Sequence, residues 1–168
     1  MTSSFSRHQK FLEYEDHVTA YYRDGYTVYP HVNGDNIGPA GGSISTTPKD
    51  ISKWLTLMAN EGVLNGDTLI SPSTFEYLVS PKGMGFTDVC RVKYYSCGFG
   101  GSQENGIQIL RHSGSLGGSS ARFVISPQLD FGIFIFTNVN ADYKALLSDY
   151  AEAIFIENEF ERDRKAEL

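Results

Sequence analysis

Cysteine is scarce in this chain of 168 residues, which contains only Cys90 and Cys97. Two cysteines can form at most one bridge, which excludes the small secreted domains that depend on a disulfide framework. The two residues could face each other across a short loop. Because nothing in the chain indicates secretion, the sequence favours reduced thiols over a Cys90–Cys97 bridge.

Positive charge is also limited, since 14 lysines and arginines stand against 20 aspartates and glutamates, for a net charge of −6. No basic stripe is present to neutralise phosphates, so nucleic acid is excluded as the main partner. No apolar run approaches the ~20 residues that span a bilayer, and residues 1–30 lack the apolar core of a signal peptide. The sequence predicts no membrane span and leaves the compartment open.

Patterns for metals and phosphates are lacking as well. The four histidines are scattered, and none has a cysteine or histidine at zinc spacing. The glycine pairs at residues 41–42 and 117–118 lack the downstream Lys-Ser/Thr of a phosphate-binding loop, so they are predicted to form turns. We therefore expect neither a metal nor a cofactor.

The chain does contain many aromatic residues, with 10 tyrosines and 11 phenylalanines. Its length is sufficient for one ordinary domain with a hydrophobic core. Residues 1–35 show no clear period and are predicted to be mostly loop with short strands. Five tyrosines in this part could line a substrate entrance or pack as ordinary aromatic residues: Tyr14, Tyr21, Tyr22, Tyr26 and Tyr29.

A helix is predicted to begin after Thr47, which is a suitable N-cap. Pro48 fits the first helical position, and Asp50 lies in the favourable field of the helix N-terminus. Gly62 is expected at C′, where the helix ends. The apolar stripe of this helix is Ile51, Trp54, Leu55 and Met58.

A second, shorter helix is predicted to begin after Ser71, with Pro72 at its first position. Pro81 and Gly83 are expected to stop it, because neither residue favours continuation of a helix. The residues predicted to face inward are Phe75, Leu78 and Val79.

From about residue 92 the apolar pattern becomes that of strands separated by small and turn-forming residues. The spacing suits antiparallel hairpins or a meander, and Arg111–Gly118 is predicted to be a compact polar turn. Phe131–Phe136 is apolar at nearly every position, which predicts cover on both faces. The expected strands are Val92–Phe99, Gly106–His112, Ser119–Ile125 and Phe131–Thr137.

A final helix is predicted from about Ala141, followed by the charged tail Glu157–Leu168. Its buried stripe is expected to comprise Tyr143, Leu146, Leu147, Tyr150, Ala151 and Ile154. The predicted fold class is α+β, an antiparallel sheet with flanking helices, in which the last helix packs back on the sheet. We expect a single domain over 1–168, divided into a loop and helical part (1–90), antiparallel strands (91–138), and a C-terminal helix and tail (139–168).

Five short segments carry a resemblance to a known family: Met1–Ser4, Gly38–Thr46 with Asp50, Tyr95–Gly100, His112–Gly114 and Thr137–Asn138. The first resembles the segment after a Pro-Leu-Gly-Met turn, and the second an Ala-Gly-Gly-x-x-Ser-Thr-x-x-Asp stretch. The third resembles a Tyr-Gly-x-Gly strand. The fourth resembles a Lys-Thr-Gly motif or its His-Ser/Thr-Gly variants, and the fifth a Thr-Asn pair before the terminal helix. This is the order in the C-terminal portion of the serine beta-lactamase-like hydrolases, which include penicillin-binding proteins and class C beta-lactamases. The resemblance implies a partial beta-lactamase/transpeptidase-like fold that lacks the family's N-terminal helix and strands.

Two motifs of that family are absent. No lysine has a serine three positions before it, and no asparagine has a tyrosine or serine two positions before it, so both Ser-x-x-Lys and Tyr-x-Asn are missing. In the family these motifs precede the segment that Met1 resembles, so truncation explains their absence more simply than decay. The missing N-terminal half is the partner that the resemblance implies, and without it one side of the sheet is expected to be unpaired.

The resemblance implies acyl transfer through a serine ester in the full-length parent, with a small molecule or peptide as substrate. His112 stands at the position of the family's lysine and is the predicted catalytic residue. Three neighbours are the predicted substrate-binding residues. Ser113 would bond through its hydroxyl, Gly114 would permit close approach, and Ser115 would direct its backbone N–H at the oxyanion.

Histidine at position 112 also bears on the substrate. Histidine is largely neutral near pH 7, whereas lysine is a constant cation. The parent is therefore expected to prefer esters, amides or small peptides over beta-lactams, whose carboxylate favours a fixed cation. The alternative is that His112 is an ordinary strand histidine satisfied by a neighbouring group.

Three functions remain open. The leading hypothesis is the C-terminal fragment of a beta-lactamase-related serine hydrolase that is inactive alone. The second is a non-catalytic binding module derived from this fold. The third is an active hydrolase with an unrecognised site around His112 and Ser113, although a Gly-x-Ser-x-Gly elbow fails because Arg111 and Ser115 stand at its glycine positions.

Overall fold

The computed structural model describes residues 1–6, 13–31, 42, 44–84, 92–139 and 143–157. Cys90, the turn at Gly41 and the charged tail beyond residue 157 lie outside the described residues, so the predictions made for them remain predictions. The helices are α1 (Pro48–Ala59), α2 (Pro72–Val79) and α3 (Tyr143–Glu152), the last of which continues as a π-helical turn, Ala153–Glu157. The strands are β1 (Ala20–Asp24), β2 (Thr27–His31), β3 (Val63–Leu64), β4 (Asp67–Thr68), β5 (Gly83–Met84), β6 (Tyr94–Tyr95), β7 (Gly100–Glu104), β8 (Ile107–Leu116), β9 (Ser119–Ser126) and β10 (Phe131–Thr137).

The start of α1 agrees with the sequence prediction. Thr47 is the N-cap, and its hydroxyl accepts a hydrogen bond from the backbone N–H of Asp50. At the other end, Glu61 occupies the left-handed C′ position with φ of 50°, and Gly62 follows with φ of 97°. The N–H of Gly62 bonds the Leu57 carbonyl, which completes a Schellman motif. The prediction of Gly62 at C′ is therefore wrong by one residue, because Gly62 takes the next position of the same motif.

The sheet is antiparallel throughout, with six strands in the order β10-β9-β8-β7-β6-β5. This confirms the α+β class with an antiparallel sheet and flanking helices. The predicted strand Val92–Phe99 is wrong, because only Tyr94–Tyr95 is extended there and the next full strand begins at Gly100. The turn before β8 is formed by Asn105 and Gly106, both with positive φ, which is a type I′ hairpin signal that the sequence carries.

The predicted polar turn Arg111–Gly118 is also wrong over most of its length. Strand β8 continues to Leu116, and only Gly117 and Gly118 turn, with φ of 53° and 77°. Seven residue pairs hold β8 to β9 up to the pair Leu116 and Ser119. A ladder that pairs on one side keeps small polar residues extended despite their weak strand preference. The site strand is therefore a long hairpin arm.

The core lies between the sheet and the first two helices. Leu55 and Met58 of α1 join Phe75 and Val79 of α2, as the two predicted stripes require. They pack on Phe99, Leu110 and Ile125 from the sheet, with Trp54 partly buried among them. Strand β10 contacts α1 on one face and α3 on the other, as predicted, but Phe136 is 46% exposed because β10 is the terminal strand.

The predicted buried stripe of α3 is wrong for five of its six members. Only Ala151 is buried, and the residues that face the sheet with it are Ser148 and Glu152. The five exposed members are Tyr143 (47%), Leu146 (69%), Leu147 (48%), Tyr150 (68%) and Ile154 (38%). The physical reason is a buried ion pair: Glu152 must face the sheet to reach Arg111, and this orientation turns the apolar face outward.

Candidate functional site

The second half of β8, His112–Leu116, has one edge with no described partner strand. Strand β7 pairs with β8 only as far as the Gly100–Arg111 pair, whereas β9 continues to pair up to Leu116. No described strand pairs with His112–Leu116 on the β7 side. All five of these residues are exposed. This stretch, which we call the open edge, offers backbone N–H and C=O groups to an incoming extended chain.

His112 lies at the start of the open edge, on the face of the sheet that α1 covers. Its Nε2 is 3.0 Å from the hydroxyl of Tyr95, and its ring stacks on Phe123 with centroids 6.1 Å apart. The structure therefore gives His112 a hydrogen-bonding neighbour while leaving the side chain exposed. Tyr95 belongs to a segment that the sequence resemblance flagged, but no local pattern linked it to His112.

The three small residues after His112 divide between the two faces, because side chains alternate along a strand. Ser113 and Ser115 share the α3 face with Arg111, and Gly114 shares the α1 face with His112. His112 and Ser113 therefore point in opposite directions and do not form a base and nucleophile pair. Apart from its two chain neighbours, no atom of the described residues comes within 4 Å of a Cβ added at Gly114, so the space beside this glycine is open in the described structure.

Lys144, in the first turn of α3, contacts the open edge from the α3 side. Its Nζ donates to the carbonyl of Gly114 at 2.9 Å and to the hydroxyl of Ser115 at 2.6 Å. Ser115 also shares a hydrogen bond of 3.0 Å with the hydroxyl of Ser120. Sequence reasoning missed Lys144, since a single lysine on a helix, 29 residues from Ser115, carries no local signal of this contact.

A buried charge network anchors α3 beside the open edge. Arg111, 3% exposed, binds Glu152 through Nη2 at 2.6 Å and through Nε at 3.2 Å. Its Nη1 donates to Ser102 at 2.6 Å, and its Nη2 donates to Glu104 at 3.1 Å. Burial alone would lower the pKa of Arg111, but the Glu152 and Glu104 carboxylates raise it above its usual value. Arg111, which directly precedes His112, therefore stays positively charged and holds α3, the helix that carries Lys144, against the sheet.

The five tyrosines between residues 14 and 29 lie in two kinds of environment. Tyr14 stacks on Phe5 with ring centroids 5.2 Å apart, and Tyr22 pairs with Tyr29 across the β1–β2 hairpin. These contacts are ordinary aromatic packing, one of the two predicted alternatives. Tyr21 and Tyr26 instead line an open groove on the surface.

Other site types leave no trace in the part of the chain that the structure describes. No group of three or more His, Cys, Asp and Glu side chains there could hold a metal ion. No helix there is both long and apolar enough to span a membrane. Cys97 is exposed and is not bonded to any described cysteine.

Comparison with solved structures identifies a shared fold. The chain is similar to the octameric penicillin-binding protein homologue from Pyrococcus abyssi, with a TM-score of 0.78 and 17% sequence identity over 94% of this chain. The chain has a penicillin-binding-protein-like fold. At this level of identity the likeness shows the fold alone, and the match spans 34% of the homologue's chain. No family model matches the sequence, and no curated protein matches it.

Proposed function

We propose that this chain is the C-terminal portion of an acyl-serine hydrolase and supplies the substrate-facing wall of its cleft. The observation that carries the proposal is the open edge, His112–Leu116, which no described strand covers on the β7 side. An extended peptide or acyl substrate would pair with this edge through backbone hydrogen bonds. The open space beside Gly114 would let the substrate backbone approach closely.

The residues of the open edge would share the work of binding. The backbone N–H of Ser115 would donate to the oxyanion that develops on the substrate carbonyl, a contact that is strongest in the transition state. The Ser115 hydroxyl is already held by Lys144 and Ser120, which fixes the strand backbone around that N–H. His112, bonded to the Tyr95 hydroxyl, would face the substrate from the α1 side as the proposed catalytic residue.

The chain alone would be inactive in this proposal. A serine nucleophile is weak at neutral pH and needs an adjacent base, and the sequence contains no Ser-x-x-Lys or Tyr-x-Asn motif. Both would come from an N-terminal half of the parent. Two surfaces that no described element covers are available for that half. They are the outer edge of β10, the terminal strand of the sheet, and the exposed apolar face of α3.

The residues encoded before Met1 test this proposal. We expect an in-frame extension that contains Ser-x-x-Lys, and a product of that longer reading frame that hydrolyses p-nitrophenyl esters. Substitution of the motif serine by alanine should abolish this hydrolysis. An in-frame stop codon directly before Met1, or a longer product with the motif but no esterase activity, would contradict the proposal.

The proposed substrate preference follows from the residue type at position 112, because a lysine there would be a fixed cation and a histidine is not. We expect the longer product to hydrolyse simple esters faster than penicillins, when kcat/KM values are compared at pH 7. The variant His112→Lys should shift this ratio towards penicillins, because a fixed cation would then lie at the open edge. Faster hydrolysis of penicillins by the unmodified protein would rule the preference out.

A binding module without catalysis is the second candidate. The observation that favours it is that the open edge is complete in this chain, and strand addition requires no nucleophile. A module of this type would bind extended peptides at full affinity without an N-terminal half. An in-frame stop codon before Met1 together with measurable peptide binding would favour this candidate over the hydrolase.

A further inference from the structure

The hydroxyl of Tyr95 is the hydrogen-bond partner that the described structure gives to the ring of His112. Its oxygen lies 3.0 Å from Nε2, and the two rings meet edge to face with centroids 6.2 Å apart. Tyr95 pairs with Gly100, and Gly100 pairs with Arg111, so the tyrosine lies at the end of the sheet from which His112 extends. Tyr95 is half-buried and His112 is exposed. A hydroxyl held by the sheet therefore lies beside an accessible imidazole.

A second contact sets the orientation of the imidazole. His112 lies opposite Phe123 in the β8–β9 ladder, and the two rings stack with an interplanar angle of 22°. Phe123 in turn packs against Trp54 and Phe99, with ring centroids 5.0 Å and 5.8 Å away. Because Trp54 and Phe99 pack in the core between the sheet and the helices, they hold the Phe123 ring beneath His112 in place.

The direction of the hydrogen bond to Tyr95 decides what His112 can do. A neutral imidazole has one protonated nitrogen, which donates, and one bare nitrogen, which accepts. Tyr95 can therefore donate to a bare Nε2 or accept from a protonated one. The first bond is the stronger, because a bare imidazole nitrogen is a good acceptor, whereas a phenol oxygen shares its lone pairs with its ring. This chemistry assigns the proton of His112 to Nδ1.

The position of that proton matters at the open edge. Nδ1 is bonded to Cγ, so it stays nearer to the strand backbone than Nε2 does. No other described residue hydrogen-bonds the His112 ring. A protonated Nδ1 would donate to a substrate carbonyl, whereas a bare Nδ1 would accept a proton. A neutral imidazole in the donor role stabilises the negative charge that develops on a carbonyl oxygen.

We propose that Tyr95 is a positioning residue for His112. Its hydroxyl donates to Nε2 and holds the ring as the Nδ1–H tautomer, so that His112 serves the open edge as a neutral hydrogen-bond donor and not as a proton acceptor. The use of this donor by a substrate carbonyl rests on the proposed hydrolase function. The tautomer does not, since both residues are present in this chain.

Long-range proton–nitrogen correlation NMR of the isotope-labelled whole chain distinguishes the tautomers, because protonated and bare imidazole nitrogens have well-separated chemical shifts. Spectra are recorded at a pH where further base no longer changes the His112 signals. We expect a protonated Nδ1 and a bare Nε2. A hydrogen bond of ordinary strength changes a tautomer ratio about fivefold, so Tyr95→Phe should move the ratio towards Nε2–H by about that factor. A protonated Nε2 in the unmodified chain, or an unchanged ratio in Tyr95→Phe, would overturn the proposal.

The matched control is Tyr94→Phe. It removes the hydroxyl of the neighbouring residue, which bonds Gln108 and not His112, so the His112 ratio should stay the same. Both variants keep their aromatic rings, and circular dichroism should show a folded chain for each. An equal change of the ratio in Tyr94→Phe would refute a specific role of the Tyr95 hydroxyl.

The role in the reaction is tested separately, in the longer product. Tyr95→Phe should lower kcat/KM for p-nitrophenyl acetate about fivefold, with KM little changed, because the donor acts on charge that develops in the transition state. An unchanged kcat/KM in an active longer product would refute this role. A longer product that has no activity before any substitution would instead contradict the proposed hydrolase function, and the tautomer assignment would stand.

Discussion

At the scale of single residues, the described structure does not explain why position 114 is a glycine. Its φ is not positive, and no atom of another described residue, its chain neighbours apart, occupies the space that a side chain would take. Gly118 is the opposite case, with φ of 77° and the Tyr21 backbone 2.9 Å from an added Cβ. The described fold therefore needs glycine at 118 and does not need it at 114, and in our proposal Gly114 instead serves the approach of a substrate.

The variant Gly114→Ala should therefore change the free energy of unfolding by no more than about 0.5 kcal/mol in urea denaturation. In the proposed longer enzyme the same change should lower kcat/KM at least tenfold, because the added methyl group would project on the α1 face and crowd a substrate bound at the open edge. Gly118→Ala is the matched control and should cost more than about 1 kcal/mol. Similar destabilisation by both variants would show that Gly114 has a structural role instead.

Asp50 connects the N-terminal segment to α1, and its titration should be visible in the stability of the chain. The side chain is 2% exposed, and its carboxylate accepts from the Ser3 N–H at 2.7 Å and the Ser4 hydroxyl at 2.9 Å. Burial alone would raise the pKa of Asp50, but these bonds and Lys53 outweigh it and lower the pKa below its ordinary value of 3.8.

A carboxyl group whose pKa is lowered on folding stabilises the protein above its unfolded pKa. The unmodified chain should therefore have a larger free energy of unfolding than Asp50→Asn above about pH 3.8. This difference should disappear as the pH falls through the lowered pKa. Urea denaturation of both chains between pH 2 and 7 measures this. An advantage that grew on acidification below pH 3.8 would contradict the assignment.

At the scale of elements, local signals predicted most of the fold. Thr47 with Pro48 and Ser71 with Pro72 mark the helix starts, and the structure places an N-cap at both. Hairpin turns were predictable in kind, although Asn105 and Gly106 form one that the spacing argument overlooked. These signals are local because caps and turns satisfy the backbone within a few residues.

The orientation of α3 was not predictable in the same way. It depends on the contact between Glu152 and Arg111, which are 41 residues apart. A sequence pattern shows which face of a helix is apolar, but it does not show whether another element in the chain covers that face. For the candidate site, the sequence singled out His112–Ser115 but predicted a turn where the structure has a strand, and Tyr95 and Lys144 reach this strand only through the tertiary fold.

The exposed face of α3 predicts that polar substitutions there are tolerated in the isolated chain. Leu146→Gln should change the free energy of unfolding by about 0.5 kcal/mol or less, because Leu146 is 69% exposed. Ala151→Gln, on the face that meets the sheet, should cost roughly 1–3 kcal/mol by overpacking. A loss with Leu146→Gln as large as that with Ala151→Gln would mean that the apolar face is covered.

The contact between α3 and the sheet should be sensitive to the loss of one charge. Glu152→Gln leaves Arg111 buried without its main carboxylate and should cost roughly 3–5 kcal/mol in the free energy of unfolding. Replacing both residues by methionine should recover most of that loss, because the most deeply buried charge is then removed together with its main partner, while Arg122 keeps its contact with Asp149. Equal losses in the single and double variants would contradict this account.

At the scale of the whole molecule, we propose that the chain supplies one wall of a substrate cleft in a longer protein. Helices α1 and α2 cover one face of the sheet, and α3 covers the other through a charged contact. The outer edge of β10 has no described partner strand, the apolar face of α3 is exposed, and the open edge lies within the sheet at β8. A penicillin-binding-protein-like fold matched over 34% of a homologue's length is consistent with such a portion.

The most direct test is the intact mass of the isolated chain after treatment with a fluorophosphonate, beside an active serine hydrolase that labels fully in the same solution. We predict no adduct on any serine, including Ser113 and Ser115, because our proposal assigns the reactive serine and its base to another part of a longer parent. A stoichiometric adduct on any serine of this chain would place a nucleophile within these 168 residues and contradict the account.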